Sequence, residues 1–228
     1  MIKEFKKAKI CVLKLDIIDY GKAHEFQKHL VQERIEGRIS DHLILLQHKP
    51  VITMGRSGGN SNILVSESML EASGISIYEI ERGGDVTYHG PGQLTGYPIM
   101  DLRYYRKDVH WYLRQLEEVI IRVLARYNIE GRRVEGYTGV WVGEEKIAAI
   151  GVAIKRWVTY HGFAFNVYPN MSHFKLINPC GIIDRDVTSL EKLLGYKVSI
   201  DTIKDCLAES FADVFDVETE FADLPIPL

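Results

Sequence analysis

Between Arg132 and Val167 the chain places apolar runs in quick succession. Val140-Trp141-Val142 is followed by Gly143-Glu144-Glu145, then by Lys146 to Ile154, then by Thr159 to Val167. Short runs rich in β-branched and apolar residues read as strands, and the Gly-Glu-Glu turn joins the first two as a hairpin. Two helical stripes flank this block: Leu113, Leu116, Ile120, Val123, Leu124 and Tyr127 before it, and Ile203, Cys206, Leu207, Phe211 and Val214, on a helix from Asp201 to about Phe215, after it. Strand runs that need a covered face, together with helices carrying one apolar face, are compatible with an α/β fold. With 228 residues, 46% of them hydrophobic, the chain can bury one sizeable core, so one domain over 1–228 is expected.

The N-terminal half follows the same grammar. Lys9 to Asp16 reads as a strand and Tyr20 to about Glu36 as an amphipathic helix with Ala23, Phe26, Leu30 and Val31 on its apolar face. Asp41 to Gln47 and Val51 to Met54 read as strands, Glu67 to Ala72 as a short helix, and Ile75 to Ile80 as a strand. Leu94 to Leu102 is a further strand, a turn follows at Tyr104-Tyr105, and Asp108 stands where a helix starts.

Composition excludes several function classes. A net charge of −3 supplies no basic field for nucleic acid. Lys3, Lys6, Lys7 and Lys9, or Arg132 and Arg133, are local basic groups for either an acidic protein partner or a solvated face. Three widely spaced cysteines, Cys11, Cys180 and Cys206, suit neither a disulfide framework nor a zinc motif, and fit a reducing compartment. No signal-peptide pattern and no apolar run of about 18 residues occurs, so a cytoplasmic protein without a membrane partner is expected. The eight histidines lack metal-ligand spacing such as His-x-x-x-His, so no metal is expected.

The chemistry concentrates in Arg82-Gly83-Gly84-Asp85-Val86-Thr87-Tyr88-His89-Gly90-Pro91-Gly92-Gln93-Leu94-Thr95-Gly96-Tyr97-Pro98. Five glycines and two prolines favour a fixed loop with close main-chain approach, and Arg82 offers a fork of donors beside the uncovered amides of Gly83 and Gly84. A plain hairpin turn fits the residues equally well. Among the cysteines, Cys11 in a strand and Cys206 on a helix face read as small core residues. Cys180 sits in a Pro-Cys-Gly turn, where a thiol either faces a cavity or stays inert. Lys146, opening the run Lys-Ile-Ala-Ala-Ile-Gly, reads as a strand-end amine reaching water or as an acid/base.

The Arg82 to Pro98 stretch closely resembles the signature of the lipoyl(octanoyl) transferases, and Leu46-Gln47-His48 with Pro50-Val51-Ile52-Thr53-Met54-Gly55-Arg56 is also similar to that family. The context Pro179-Cys180-Gly181-Ile182 with Val187-Thr188-Ser189-Leu190, the motif Lys146-Ile147-Ala148, and His161-Gly162-Phe163-Ala164-Phe165-Asn166 match in order and spacing; the resemblance spans about Leu46 to Leu190. It implies an α/β fold similar to the biotin/lipoate protein ligase catalytic domain, a mixed central sheet with packed helices. It also implies transfer of octanoyl from acyl carrier protein to a lysine of lipoyl domains, those of 2-oxoacid dehydrogenase complexes and of the glycine cleavage H protein, by a monomer needing no cofactor.

The resemblance assigns Cys180 as nucleophile and Lys146 as general acid/base. A buried ammonium beside a thiol favours the thiolate, and a desolvated amine can shuttle a proton. It further implies an acyl pocket lined by Arg82, Gly83, Gly84, Asp85, Val86, Thr87, Tyr88 and His89, by Ala149, Ile150 and Gly151, and by Gly162, Phe163 and Ala164, with His89 positioning rather than taking the thiol proton. An ATP-dependent lipoate or biotin ligase, or a non-catalytic acyl-binding module, are the alternatives. Asp85 and the acidic tail near Glu218 to Asp223 depart from the family pattern.

Overall fold

The computed structural model describes residues 7–178 and 186–222, apart from the Asn60 side chain. Ten strands are described: β1 (Ala8–Ile18), β2 (Asp41–His48), β3 (Val51–Met54), β4 (Ser76–Glu79), β5 (Val86–His89), β6 (Gln93–Ile99), β7 (Val140–Val142), β8 (Glu145–Lys155), β9 (Val158–Asn166) and β10 (Val217–Phe221). They interleave with α1 (Tyr20–Ile35), α2 (Glu67–Ala72), α3 (Val109–Ala125), α4 (Leu190–Leu194) and α5 (Ile200–Phe215).

A seven-stranded sheet runs in the order β10-β1-β2-β6-β9-β8-β7, parallel on both sides of β1 and antiparallel from β2 onward. A smaller sheet, β4-β3-β5, holds the Arg82 loop between two of its strands. Period-two alternation divides the core. Leu43 and Leu45 of β2 face one cluster with the buried side chains of α3 and α5, while Ile44 and Leu46 face α1 through Ala23, Leu30 and Val31. Both faces of β2 are thus covered, which is why its sequence is continuously apolar.

Asp108 caps α3 by accepting the Trp111 N–H at 3.0 Å, and Asp19, Ser66, Ser189 and Ser199 cap the other four helices. The mixed α/β architecture that the resemblance implies is the one observed. β6 stops at Ile99, three residues earlier than expected. Asp101 then turns the chain by accepting the Arg103 N–H, and Leu102–Tyr104 forms one 3₁₀ turn. Two elements had no clear signal: α4, only five residues long, and β10.

β10 accounts for the acidic tail as far as Ala222. It adds to the edge of β1 in parallel, where Lys7 meets Asp216 and Lys9 meets Glu220. Two of the basic N-terminal residues therefore face the chain's own acidic end. Arg132 pairs with Glu144 and Arg133 with Glu117 and Glu118. Cys11 and Cys206 are both half-buried, each packed at the margin of a core cluster rather than inside it.

Candidate active site

A cleft of about 460 Å³, open mouth included, lies between the Arg82 loop and the β8–β9 pair. It adjoins a second space of about 290 Å³ with which it shares Thr87, Ala149 and Ala164, and Lys146 lines the second. At about 3.3 Å per residue, the floor along β8 from Lys146 to Gly151 is roughly 17 Å long.

Local backbone contacts build the walls. Gly83 donates its N–H to Val152 O at 2.9 Å, so that amide serves the fold and is not the uncovered donor expected from sequence. Gly151 permits the approach: a Cβ there would lie 2.9 Å from Gly83 O and 3.0 Å from Arg82 Cδ. From the other side Gly55, Arg56 and Ser57 donate to Asp85, Arg82 and Gly84 carbonyls. The Arg82 loop is clasped between β8 and the segment that leaves β3.

Of the sequence-predicted pocket residues, Arg82, Gly83, Gly84, Thr87, His89, Ala149, Ile150, Gly151, Gly162, Phe163 and Ala164 line the cleft. Asp85, Val86 and Tyr88 do not. In β5 alternate side chains face opposite sides: Thr87 and His89 point to the cleft, while Val86 and Tyr88 enter the core of the small sheet. There the Tyr88 hydroxyl bonds His173 Nδ1 at 2.7 Å, and Asp85 accepts from the Val86 N–H and from Asn62. The expectation that Tyr88 faces an acyl chain is corrected by this pleat.

Arg82 spends its fork on the protein. Its Nη2 donates to Thr53 O at 2.7 Å and to Thr53 Oγ1 at 2.9 Å, and its Nη1 donates to Gly83 O. From there a buried polar chain runs toward Lys146. His89 Nδ1 contacts Gln93 Oε1 at 2.7 Å, Gln93 Nε2 donates to Asn166 Oδ1 at 3.0 Å, and Asn166 Nδ2 donates to Thr188 O at 3.0 Å. Because Gln93 presents its oxygen, His89 carries its proton on Nδ1, leaving Nε2 to face Thr53 Oγ1 at 3.5 Å. Burial above all, then the His48 and Arg82 neighbours, holds His89 well below the usual histidine range. His89 is a neutral, wedged ring.

Lys146 is buried, not a strand-end amine reaching water. Its Nζ stands 5.3 Å from the Trp141 ring centroid, a cation–π distance, and its side chain packs over Gly139. Its backbone N–H and C=O pair with Asp186 O and Thr188 N, each at 2.9 Å. Cys180, the expected nucleophile, lies outside the described residues. The residues bracketing the undescribed stretch are held: Asn178 N donates to Asn62 O at 2.8 Å, and Asp186 O accepts from Lys146.

Tyr20, Thr95, Tyr97 and His161 complete the cleft lining. His161 lies within a recognised motif, but Tyr20 opens a helix and Thr95 and Tyr97 alternate in β6, positions whose sequence signal is core packing. His48 stands behind them, bonded to Ile18 O at 3.0 Å and to the Tyr97 hydroxyl at 2.6 Å. Among the described residues no helix is long and apolar enough to cross a membrane.

Residues 19–212 match the family of the lipoyl protein ligase A/B catalytic domain. An octanoyltransferase of Caldicellulosiruptor saccharolyticus is 51% identical over 215 residues, covering 93% of this chain and 92% of the relative. One of Solibacter usitatus is 50% identical over 208 residues, covering 91% and 94%. Among solved structures, a putative lipoate protein ligase from T. acidophilum superposes with a TM-score of 0.75 at 16% identity, over 95% of this chain and 89% of that one. The Aquifex aeolicus biotin protein ligase gives 0.51 at 11% identity, over 91% and 69%. These two likenesses are of fold.

Proposed function

The chain belongs to the lipoyl(octanoyl) transferases of the lipoyl protein ligase A/B catalytic-domain family and is an acyltransferase acting in lipoate synthesis, and from that premise we propose a two-step octanoyl relay through Cys180. The donor is octanoyl-acyl carrier protein. The Cys180 thiolate attacks the donor thioester, the new S–C bond forms as the carrier C–S bond breaks, and the carrier thiolate takes a proton from the Lys146 ammonium. The acceptor lysine of a lipoyl domain, on a 2-oxoacid dehydrogenase complex or the glycine cleavage H protein, then attacks the acyl-enzyme. Lys146 takes the amine's proton, the Cys180 sulfur leaves, and an amide remains. Thioester exchange is nearly balanced and amide formation is downhill, so no nucleotide enters. A monomer of one domain in the cytoplasm suffices for this cycle.

The observation that carries the proposal is the position of Lys146: buried, lining the space next to the cleft, with its backbone joined to Asp186, which follows Cys180 closely in the sequence. Small residues at Ala149, Gly162 and Ala164 leave room for an acyl tail beside it. At about 0.8 kcal/mol per buried CH₂, a donor two methylenes shorter is expected to lose roughly tenfold in binding.

Intact-mass measurement after incubation with octanoyl-acyl carrier protein tests the relay. The expected result is one added octanoyl group, absent in Cys180→Ser and transferred to lipoyl domain on its addition. An octanoyl label on wild type that appears only with ATP and free octanoate would replace the relay with ligase chemistry.

A further inference from the structure

Three residues from separate elements converge at the end of the cleft away from Lys146: His24 of α1, Glu81 after β4, and His161 of β9. Their ligand atoms all lie within 4.8 Å of one another. Glu81 Oε2 stands 3.1 Å from His24 Nε2 and 3.8 Å from His161 Nε2. Tetrahedral zinc with bonds of about 2.0–2.1 Å spaces its ligand atoms about 3.3 Å apart, a value between those two distances. From this geometry we propose a binding site for a zinc-class divalent cation, with His24 Nε2, His161 Nε2 and Glu81 Oε2 as ligands.

Independent observations point to a ligand here. His161 is only 2% exposed, yet its Nε2 makes no hydrogen bond, while the buried Nε2 of His24 faces Glu81 Oε2. A buried ring nitrogen left without a hydrogen bond is a cost the fold normally avoids. His161 also takes φ 55°, the left-handed region, inside a strand, and Gln27 Oε1 holds its N–H at 2.8 Å in that conformation. A strained backbone that aims a buried ring at two other ligand-type groups is a common mark of a site.

The donor set selects the ion. Two imidazoles and one carboxylate suit zinc, cobalt or nickel, whereas magnesium and calcium take oxygen ligands. Of the charged groups acting on the two rings, Glu81 and Glu25 favour a cation, and Lys28 and Arg82 oppose it. Glu81 is 46% exposed on its side chain, which gives the ion a route from solvent and leaves a fourth position for water. Since His161 lines the cleft and Glu81 precedes Arg82, an ion held here ties the Arg82 loop to β9 and fixes that end of the cleft. The proposal is independent of the acyl relay.

Full-length protein stripped with chelator and freed of it is titrated with Zn²⁺ by calorimetry and with Co²⁺ by visible absorption. One equivalent per chain is expected, with the absorption of a tetrahedral nitrogen–oxygen site and no thiolate charge-transfer band. His161→Ala and His24→Ala are expected to weaken binding by about tenfold or more, and so is Glu81→Gln, an exposed change that leaves the core untouched. Cys180→Ser is expected to bind as wild type. Absence of stoichiometric binding by wild type, binding unchanged in folded Glu81→Gln, or binding lost in Cys180→Ser would each overturn the assignment.

Discussion

Gly151 shows how much one missing side chain decides. Because it has no Cβ, the Arg82–Gly83 backbone rests directly on β8, and any larger residue must push that loop off the strand. Gly151→Val is expected to raise KM for the octanoyl donor at least about tenfold while kcat changes less, since the lost contact serves binding rather than the acid/base step. Steady-state kinetics with saturating acceptor checks it; an unchanged KM would remove the loop from the acyl site. At this scale the sequence was legible where a motif carried the residue, as with Lys146 and Ala149. It was misleading at Tyr88, because only the pleat of β5 tells which neighbour of His89 faces the cleft. His24 and Glu81 lie in no motif, so nothing in their spacing could announce them.

The α3–β7 junction illustrates the same point for elements. Sequence patterning finds the apolar stripe of α3 but not Glu117, a fully buried carboxylate within it. Glu117 Oε2 accepts from Arg114 at 2.6 Å and from Arg133 at 3.1 Å, while Oε1 accepts the Gly139 N–H at 3.0 Å. Gly139 is the residue over which Lys146 packs, so a helix carboxylate braces the strand entry beside the amine. Removing it leaves two arginines without their shared partner and a backbone N–H without an acceptor. Glu117→Ala is expected to cost about 1–3 kcal/mol in urea unfolding, chiefly through the unsatisfied Gly139 N–H, and Glu117→Gln, which keeps an acceptor for Gly139, distinctly less. Equal losses in the two variants would show that the Gly139 bond contributes little. β10 was missed for a related reason: a strand of alternating acids has no apolar signature, and only the β1 edge with Lys7 and Lys9 gives it a place.

For the molecule as a whole, the buried histidines in the cleft wall and behind it set the response to acid. Burial lowers His48 from its ordinary value to about 4, and His89 is also held well below the usual range. The unfolded chain takes up these protons below about pH 6.5, while the folded chain refuses them, so stability falls as pH drops through that window. The expected slope is on the order of 1 kcal/mol per pH unit for each such ring. Urea midpoints measured from pH 7.5 to 4.5 check it, and His48→Gln, which keeps an amide donor for Ile18 O, is expected to flatten the curve. A wild-type midpoint that stays constant down to pH 4.5 would mean these rings reach solvent and charge in the native state.

The sequence by itself determined the element grammar, the α/β class and the family, because strand and helix periodicities and glycine-rich motifs are local properties written in neighbouring residues. Only the tertiary structure decided which residues share a wall. Strand pairing places Gly151 under Gly83 and Asp186 beside Lys146, and it gathers His24, Glu81 and His161 from positions up to 137 residues apart (161 − 24). The physical reason is that a site depends on the register and pleat of strands distant in the chain, and neither is encoded in any single stretch of it.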